Sequence, residues 1–181
     1  EKDATTPLSV YGRSKLEGEQ AIQLSSCASI ILRTSWVYGE RGSNFLLTML
    51  RLGRERDSLS VVNDQIGSPS YSCDIALASL QLCQLYRIQP ESIIEQSGIY
   101  HLSASGETSW YGFAKAIFDE ANQFESFTLN QLLPISTAEY PTAATRPAYS
   151  VLNCTKIQAA FDIEMPSWQE SLRQSIDAYY H

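Results

Sequence analysis

The sequence predicts an α/β fold, and three observations point that way. Short apolar runs alternate with longer segments of helical pattern along the whole chain. The run Ile30, Ile31, Leu32 is short and rich in β-branched residues, as in a strand covered on both faces. The composition, 44% hydrophobic and 18% charged over 181 residues, supports a buried core in one domain or a little more.

Taken in order, residues 9–26 form a helix by pattern, with Pro7 breaking the chain ahead of it. The strand Ile30–Leu32 follows, then a loop, GERGSN, around Gly39 and Gly42. NFLLTMLRLGRER reads as a helix with Ser43 or Asn44 as its N-cap. SLSVVNDQ is a short strand, and IGSPSYS an extended connection containing proline. CDIALASLQLCQLYR is an amphipathic helix, and GIYHLSA a strand. TSWYGFAKAIFDEANQ is a helix capped by Thr108 or Ser109. LLPIS is a last strand, AEYPTAATRPAYS a long polar loop, and two helices follow near 154–161 and 167–180.

The net charge of −7 argues against a bulk nucleic-acid or anionic-membrane binder, which would carry a basic face. No stretch approaches the ~18 apolar residues of a membrane span, and EKDATTPLSV does not read as a signal peptide. Cys27, Cys73, Cys83 and Cys154 are scattered without a C-x-x-C pair. Buried free thiols in a reducing cytoplasm are therefore expected, with neither a metal cluster nor a disulfide framework.

The chemistry centres on a repeated spacing. Tyr11 and Lys15 stand four apart near the start of the first helix, and Tyr111 and Lys115 repeat the pattern. Residues at i and i+4 share a helical face, and a cation one turn from a phenol stabilises its phenolate. Proton transfer between a phenol and a carbonyl or alkoxide oxygen near neutral pH needs that arrangement. Around the second copy, Trp110, Phe113, Ala114, Ile117, Phe118 and Ala121 form a wide apolar stripe, so that pair reads as helix edge. The first copy follows a proline-containing loop and leads into a buried-type strand. There the residues alone leave a functional and a structural reading equally open.

Five segments in order carry a resemblance: PLSVYGRSKLEGEQA with ILRTSWVYGERGSNFLLTML, LSVVNDQIGSPSY, GIYHLSASGETSWYGFAKAIFDEA, YPTAATRPAYSVLN and SWQESLRQSI. Together they resemble the extended short-chain dehydrogenase/reductase superfamily, and within it the dTDP-4-dehydrorhamnose reductase family. The resemblance implies the C-terminal part of a Rossmann-like NAD(P)-binding fold plus a smaller α/β substrate-binding lobe. The expected division is residues 1–62, with the catalytic helix, and 63–181, mainly the substrate lobe. It implies Tyr11 as the general acid at the sugar C4 oxygen, and Lys15 as its tuning partner and a holder of cofactor ribose hydroxyls. Substrate contacts are implied at Trp36, Asn44, Gln65 and Arg146, the last near a diphosphate. Core packing for Trp36, helix capping for Asn44 and plain surface for Arg146 remain open alternatives. The implied partners are NADPH or NADH and a dTDP-sugar. Some relatives use a divalent ion such as Mg at a dimer contact, which implies a homodimer, although the sequence shows no constellation to hold the ion.

One departure stands out. The family opens with a T-G-x-x-G-x-x-G-type turn that receives the cofactor pyrophosphate, and the nine glycines never fall in that spacing. The Ser or Thr that completes the family's Ser/Thr-Tyr-Lys set is not found either. The isolated 181 residues are therefore expected to lack reductase activity and to leave the Ile30–Leu32 strand with open edges. A non-catalytic binding subunit on the same scaffold, and an NDP-sugar epimerase or dehydratase, stay as alternatives.

Overall fold

A computed structural model describes residues 1–7, 9–140 and 146–181. Seven α-helices and eight short strands alternate along these residues. In chain order they begin α1 (Val10–Leu24), β1 (Ile30–Arg33), β2 (Val37–Tyr38), α2 (Phe45–Glu55) and β3 (Ser58–Val62). Next come β4 (Ile66–Gly67), β5 (Ser70–Tyr71), α3 (Ser72–Ile88), α4 (Pro90–Glu95), β6 (Gly98–His101) and β7 (Thr108–Ser109). The chain ends with α5 (Trp110–Ala121), β8 (Gln131–Ile135), a 3₁₀ turn at Thr137–Glu139, α6 (Thr155–Phe161) and α7 (Trp168–Tyr180).

Among the described residues the strands pair two by two. β1 runs parallel to β6, β2 to β5 and β3 to β8, while β4 is antiparallel to β7. Parallel pairs between strands far apart in sequence require crossover connections, as the alternating pattern predicts. The α/β class holds.

Helix starts follow side-chain chemistry. Ser9, Asn44, Ser109 and Ser167 each accept a backbone N–H from the first turn of their helix, which settles the two capping alternatives on Asn44 and Ser109. Ser167 also forms a reciprocal box with Glu170.

Two apolar clusters organise the packing. The larger joins α2 (Leu46, Met49, Leu50), β3 (Leu59, Val61), α5 (Phe113, Ile117, Phe118) and α7 (Trp168, Leu172, Ile176). Leu46, Met49, Leu50 and Gly53 recur at helical spacing on the buried face of α2. A Cβ on Gly53 would stand 2.4 Å from the Phe118 ring, so only glycine lets α2 and α5 approach this closely. The smaller cluster joins α3 (Ala78, Leu82), Tyr100 on β6 and α6 (Ile157, Phe161), with Ile30 and Leu32 of β1 packed against it. Both clusters draw on residues from either side of position 62.

Among the described residues β1 pairs with β6 and is half-buried at all four positions, in keeping with the open edges expected of it. Several expectations need correction. The thiols are not buried: Cys27, Cys73 and Cys83 are exposed and Cys154 is half-buried. The α3 helix takes only Ala78, Leu82 and Asp74 fully inside and leaves Leu77, Leu80 and Ile88 exposed, so its apolar face is broader than its contact. The strand expected over SLSVVNDQ stops at Val62, and the connection after it holds the two-residue strands β4 and β5. Residues 141–145 of the expected polar loop lie outside the described residues.

Candidate active site

The first Tyr–Lys pair sits on a helix that stands apart from both cores. None of the fifteen residues of α1 is buried, and Tyr11 is 72% exposed. The Lys15 Nζ lies 5.4 Å from the centre of the Tyr11 ring, so the cation and the phenol share one face of the first turns. One turn further on, Glu19 meets Arg33, the last residue of β1. Arg33 Nε donates to Oε1 at 2.8 Å and Nη2 to Oε2 at 2.5 Å. The carboxylate and a neighbouring Glu1 charge raise the Arg33 pKa against the opposing effect of burial. A phenol and an ammonium held together in solvent reach can bind the oxygen of a small ligand and exchange a proton with it.

The second pair is arranged differently. Lys115 Nζ donates to Asp119 Oδ2 at 2.7 Å on the exposed side of α5, which raises the lysine pKa. Tyr111 is half-buried and packs against the larger core. The copy reads as helix edge, as its apolar stripe predicts.

Trp36 is held in an unusual pose. Its backbone has φ of 50°, a left-handed conformation rare for a bulky residue and one that carries strain. Its ring stacks on Trp110, with centroids 3.5 Å apart and planes 5° from parallel, and its Nε1 donates to Ser150 Oγ at 3.1 Å. Gly67 makes room: a Cβ there would fall 2.3 Å from the Trp36 ring. Phe45 continues the aromatic line at 4.6 Å from Trp110. Trp36 is thus a half-buried ring clamped by three partners.

The other expected site residues divide. Asn44 caps α2 by accepting Leu47 N–H at 3.1 Å, and its amide nitrogen donates to Gly39 and Arg41 carbonyls at 2.8 and 3.1 Å. Its polar atoms thus fold the GERGSN loop back onto the helix. Gln65 is 8% exposed and donates to Thr137 Oγ1 at 3.0 Å, while Thr137 Oγ1 donates to Asp64 at 2.6 Å. Arg146 is exposed. Two residues on, the Ala148 carbonyl accepts Ile66 N–H, and Ser150 N–H returns to the Ile66 carbonyl, so the segment after Arg146 is tied to β4 beside Gly67. The structure therefore brings Trp36, Gly67 and Ser150 together, and Tyr11 with Lys15.

Sequence reasoning missed Trp110 as the partner of Trp36, having placed it in a core stripe. It also missed Glu19 and Arg33. Part of their signal was present, an acid four residues after Lys15, but which cation meets that acid depends on how β1 lies against the helix.

Among the described residues no group of three or more His, Cys, Asp and Glu side chains comes together, so the divalent ion finds no ligand set there. Among the same residues, no helix is long and apolar enough to cross a membrane.

Parallel strand pairs with helical crossovers, and a Tyr–Lys pair at the head of a helix, define a chain of the Rossmann-like α/β class. The chain belongs to the RmlD substrate binding domain family, whose match runs over residues 1–181. It is similar to a dTDP-4-dehydrorhamnose reductase of Aggregatibacter actinomycetemcomitans, 50% identical over 180 residues that make up 99% of this chain and 60% of that protein. The corresponding reductase of Sinorhizobium fredii is 46% identical over 178 residues, 97% of this chain and 58% of that one. Among solved structures, dTDP-4-dehydrorhamnose reductase from Bacillus anthracis in complex with NADP superposes with a TM-score of 0.86. It is 39% identical over 98% of this chain and 58% of that one. The chain thus spans about three-fifths of the length of the curated relatives it matches.

Proposed function

We propose that this chain is the part of an NAD(P)H-dependent dTDP-4-dehydrorhamnose reductase that delivers the proton and holds the sugar. The reaction is reduction of dTDP-4-dehydro-L-rhamnose to dTDP-L-rhamnose, in nucleotide-sugar biosynthesis. The observation that carries the reading is the Lys15 ammonium placed over the exposed Tyr11 ring on a helix with no core duty. Similarity to reductases along nearly the whole chain supports it.

A bound nicotinamide cofactor supplies the hydride that reaches the sugar C4 carbon. Tyr11 Oη gives its proton to the C4 oxygen as the carbonyl becomes an alcohol. Lys15 stabilises the phenolate left behind and offers N–H donors to ribose hydroxyls. Its exposed position beside Tyr11 fits that double use, and NADP in the Bacillus anthracis relative favours NADPH. Trp36 forms a wall against the sugar, Gln65 and Asn44 hold the loops that frame it, and Arg146 offers a bidentate fork to the diphosphate. The division into residues 1–62 and 63–181 belongs to this reading, as does a homodimer, which sedimentation of the complete polypeptide would check. The unpaired thiols suit a reducing cytoplasm.

The test is an absorbance assay of the complete polypeptide with NADPH and dTDP-4-dehydrorhamnose. Loss of reduced-cofactor absorbance, with dTDP-L-rhamnose as product, is expected. Tight sugar binding with no oxidation would favour a binding subunit, and C4 inversion without net oxidation an epimerase.

A further inference from the structure

The α1 helix carries an acid where it could harm the reacting pair. Lys15 and Glu19 are four residues apart, one turn along the same face, as Tyr11 and Lys15 are. Left to itself, Glu19 is the nearest anion in sequence able to draw the Lys15 ammonium down the helix and away from the phenol. The same molecule shows this outcome. In α5 the spacing Tyr111, Lys115, Asp119 repeats the stripe, and there Lys115 has turned to Asp119 at 2.7 Å. In the α1 stripe a guanidinium from another element holds both oxygens of the acid.

We propose that Arg33 is a positioning residue for the Tyr11–Lys15 pair: by engaging both oxygens of Glu19 it keeps that carboxylate off Lys15 and leaves the ammonium over Tyr11. The proposal rests on the reading of Tyr11 and Lys15 as the reacting pair. Bidentate geometry makes Arg33 a stronger partner for the carboxylate than a single ammonium. The pair is also sheltered, with side-chain exposures of 23% for Arg33 and 15% for Glu19, so solvent screens it less than it screens Lys115 and Asp119 at 61% and 60%. Two other ionisable groups face the guanidinium. The Glu1 charge favours it, and His101, its register partner on β6, has its pKa lowered mainly by burial and so adds little competing positive charge.

The same contact fixes the helix in space. Among the described residues its two hydrogen bonds are the side-chain hydrogen bonds that join α1 to a strand. Glu19 lies eight residues from Tyr11, about 12 Å along the axis, so a tilt of about 5° about the anchor moves Tyr11 by about 1 Å. Displacement on that scale is enough to slow a positioned reaction.

Three variants of the complete polypeptide separate diversion of the lysine from simple loss of an anchor. Arg33→Met frees Glu19 to take Lys15, and kcat is expected to fall about tenfold or more with little change in KM. Glu19→Gln removes the competing charge and should cost less. The double variant should return to the Glu19→Gln level, because the harm in Arg33→Met comes from the liberated acid. Equal loss in all three variants would overturn the proposal, since an anchor alone predicts that result. A crystal structure of the Arg33→Met protein gives a second readout, independent of turnover. Lys15 Nζ is expected within salt-bridge distance of Glu19, and an ammonium still over the Tyr11 ring would overturn the claim. Should Tyr11→Phe prove fully active, the reading of the reacting pair fails, while that structure still decides whether Arg33 restrains Glu19.

Discussion

Helices α1 and α5 carry the same Y-G-x-x-K spacing with an acid one turn further on, yet the structure leaves their side chains in different surroundings. In α5 the apolar stripe decides: Phe113, Ala114, Ile117, Phe118 and Ala121 are all buried, and Tyr111 is drawn in beside them. Lys115 is left to pair with Asp119 along the helix surface. In α1 no residue is buried, the lysine stands over the tyrosine, and the acid is taken by Arg33. On the proposed reading, a spacing motif can carry chemistry only where neighbours leave its groups unspent. Burial of the tyrosine or capture of the lysine is enough to silence it.

The largest expected effect sets the two tyrosines against each other. In the complete polypeptide, Tyr11→Phe should lower kcat by about 10²–10⁴, the scale of losing one general acid, while Tyr111→Phe should leave turnover within about twofold. Steady-state rates with NADPH and the dTDP-sugar check both. A large loss at Tyr111 would reverse the assignment of the two helices.

The next contrast is one of stability. Phe113 is fully buried at the centre of an aromatic group that includes Tyr38, Phe45 and Trp168. Its truncation to alanine should cost about 3–5 kcal/mol, from lost burial and the cavity left behind. Ile22 on α1 is 44% exposed, and Ile22→Ala should stay within about 0.5 kcal/mol. Denaturant unfolding of the 181-residue chain measures both. Hydrogen exchange should agree, with α1 amides opening sooner than those of α5, because few apolar contacts hold them.

The difference between these helices also marks what could be read from the sequence. Elements set by periodicity and capping were legible: α2 and α5 lie where their apolar spacing and their Asn44 and Ser109 caps put them, and α7 lies within the range expected of it. The two-residue strands β2, β4, β5 and β7 were not, since a pair of residues has no period and its pairing partner lies far away in sequence. The Tyr11–Lys15 contact was legible because one helical turn links the two residues. The Arg33–Glu19 and Trp36–Trp110 contacts were not, because they form between elements whose approach depends on the fold. Exposure of Cys73 and Cys83 escaped for a related reason: the apolar surface of α3 exceeds what β6 and α6 cover.

The smallest effect is the most pointed, because it asks whether freeing Lys115 is enough to make a second reactive pair. Asp119 raises the Lys115 pKa through a hydrogen bond and its charge. A lysine whose folded-state pKa lies above its unfolded value adds stability that is fully present below the unfolded pKa and fades as pH rises through the folded one. Asp119→Asn removes that increment, so the variant and the parent should differ in stability below pH ~10 and converge above it. Both side chains are about 60% exposed, so the difference should lie near the limit of a thermal melt, and NMR titration of the Lys115 side chain is the sensitive measurement. Turnover should not change. Tyr111 is half-buried and packs against the core, so its phenol is less free to meet a sugar than that of the exposed Tyr11. A gain of reductase activity that survives Tyr11→Phe would show that the lysine, and not the burial of the tyrosine, keeps α5 silent.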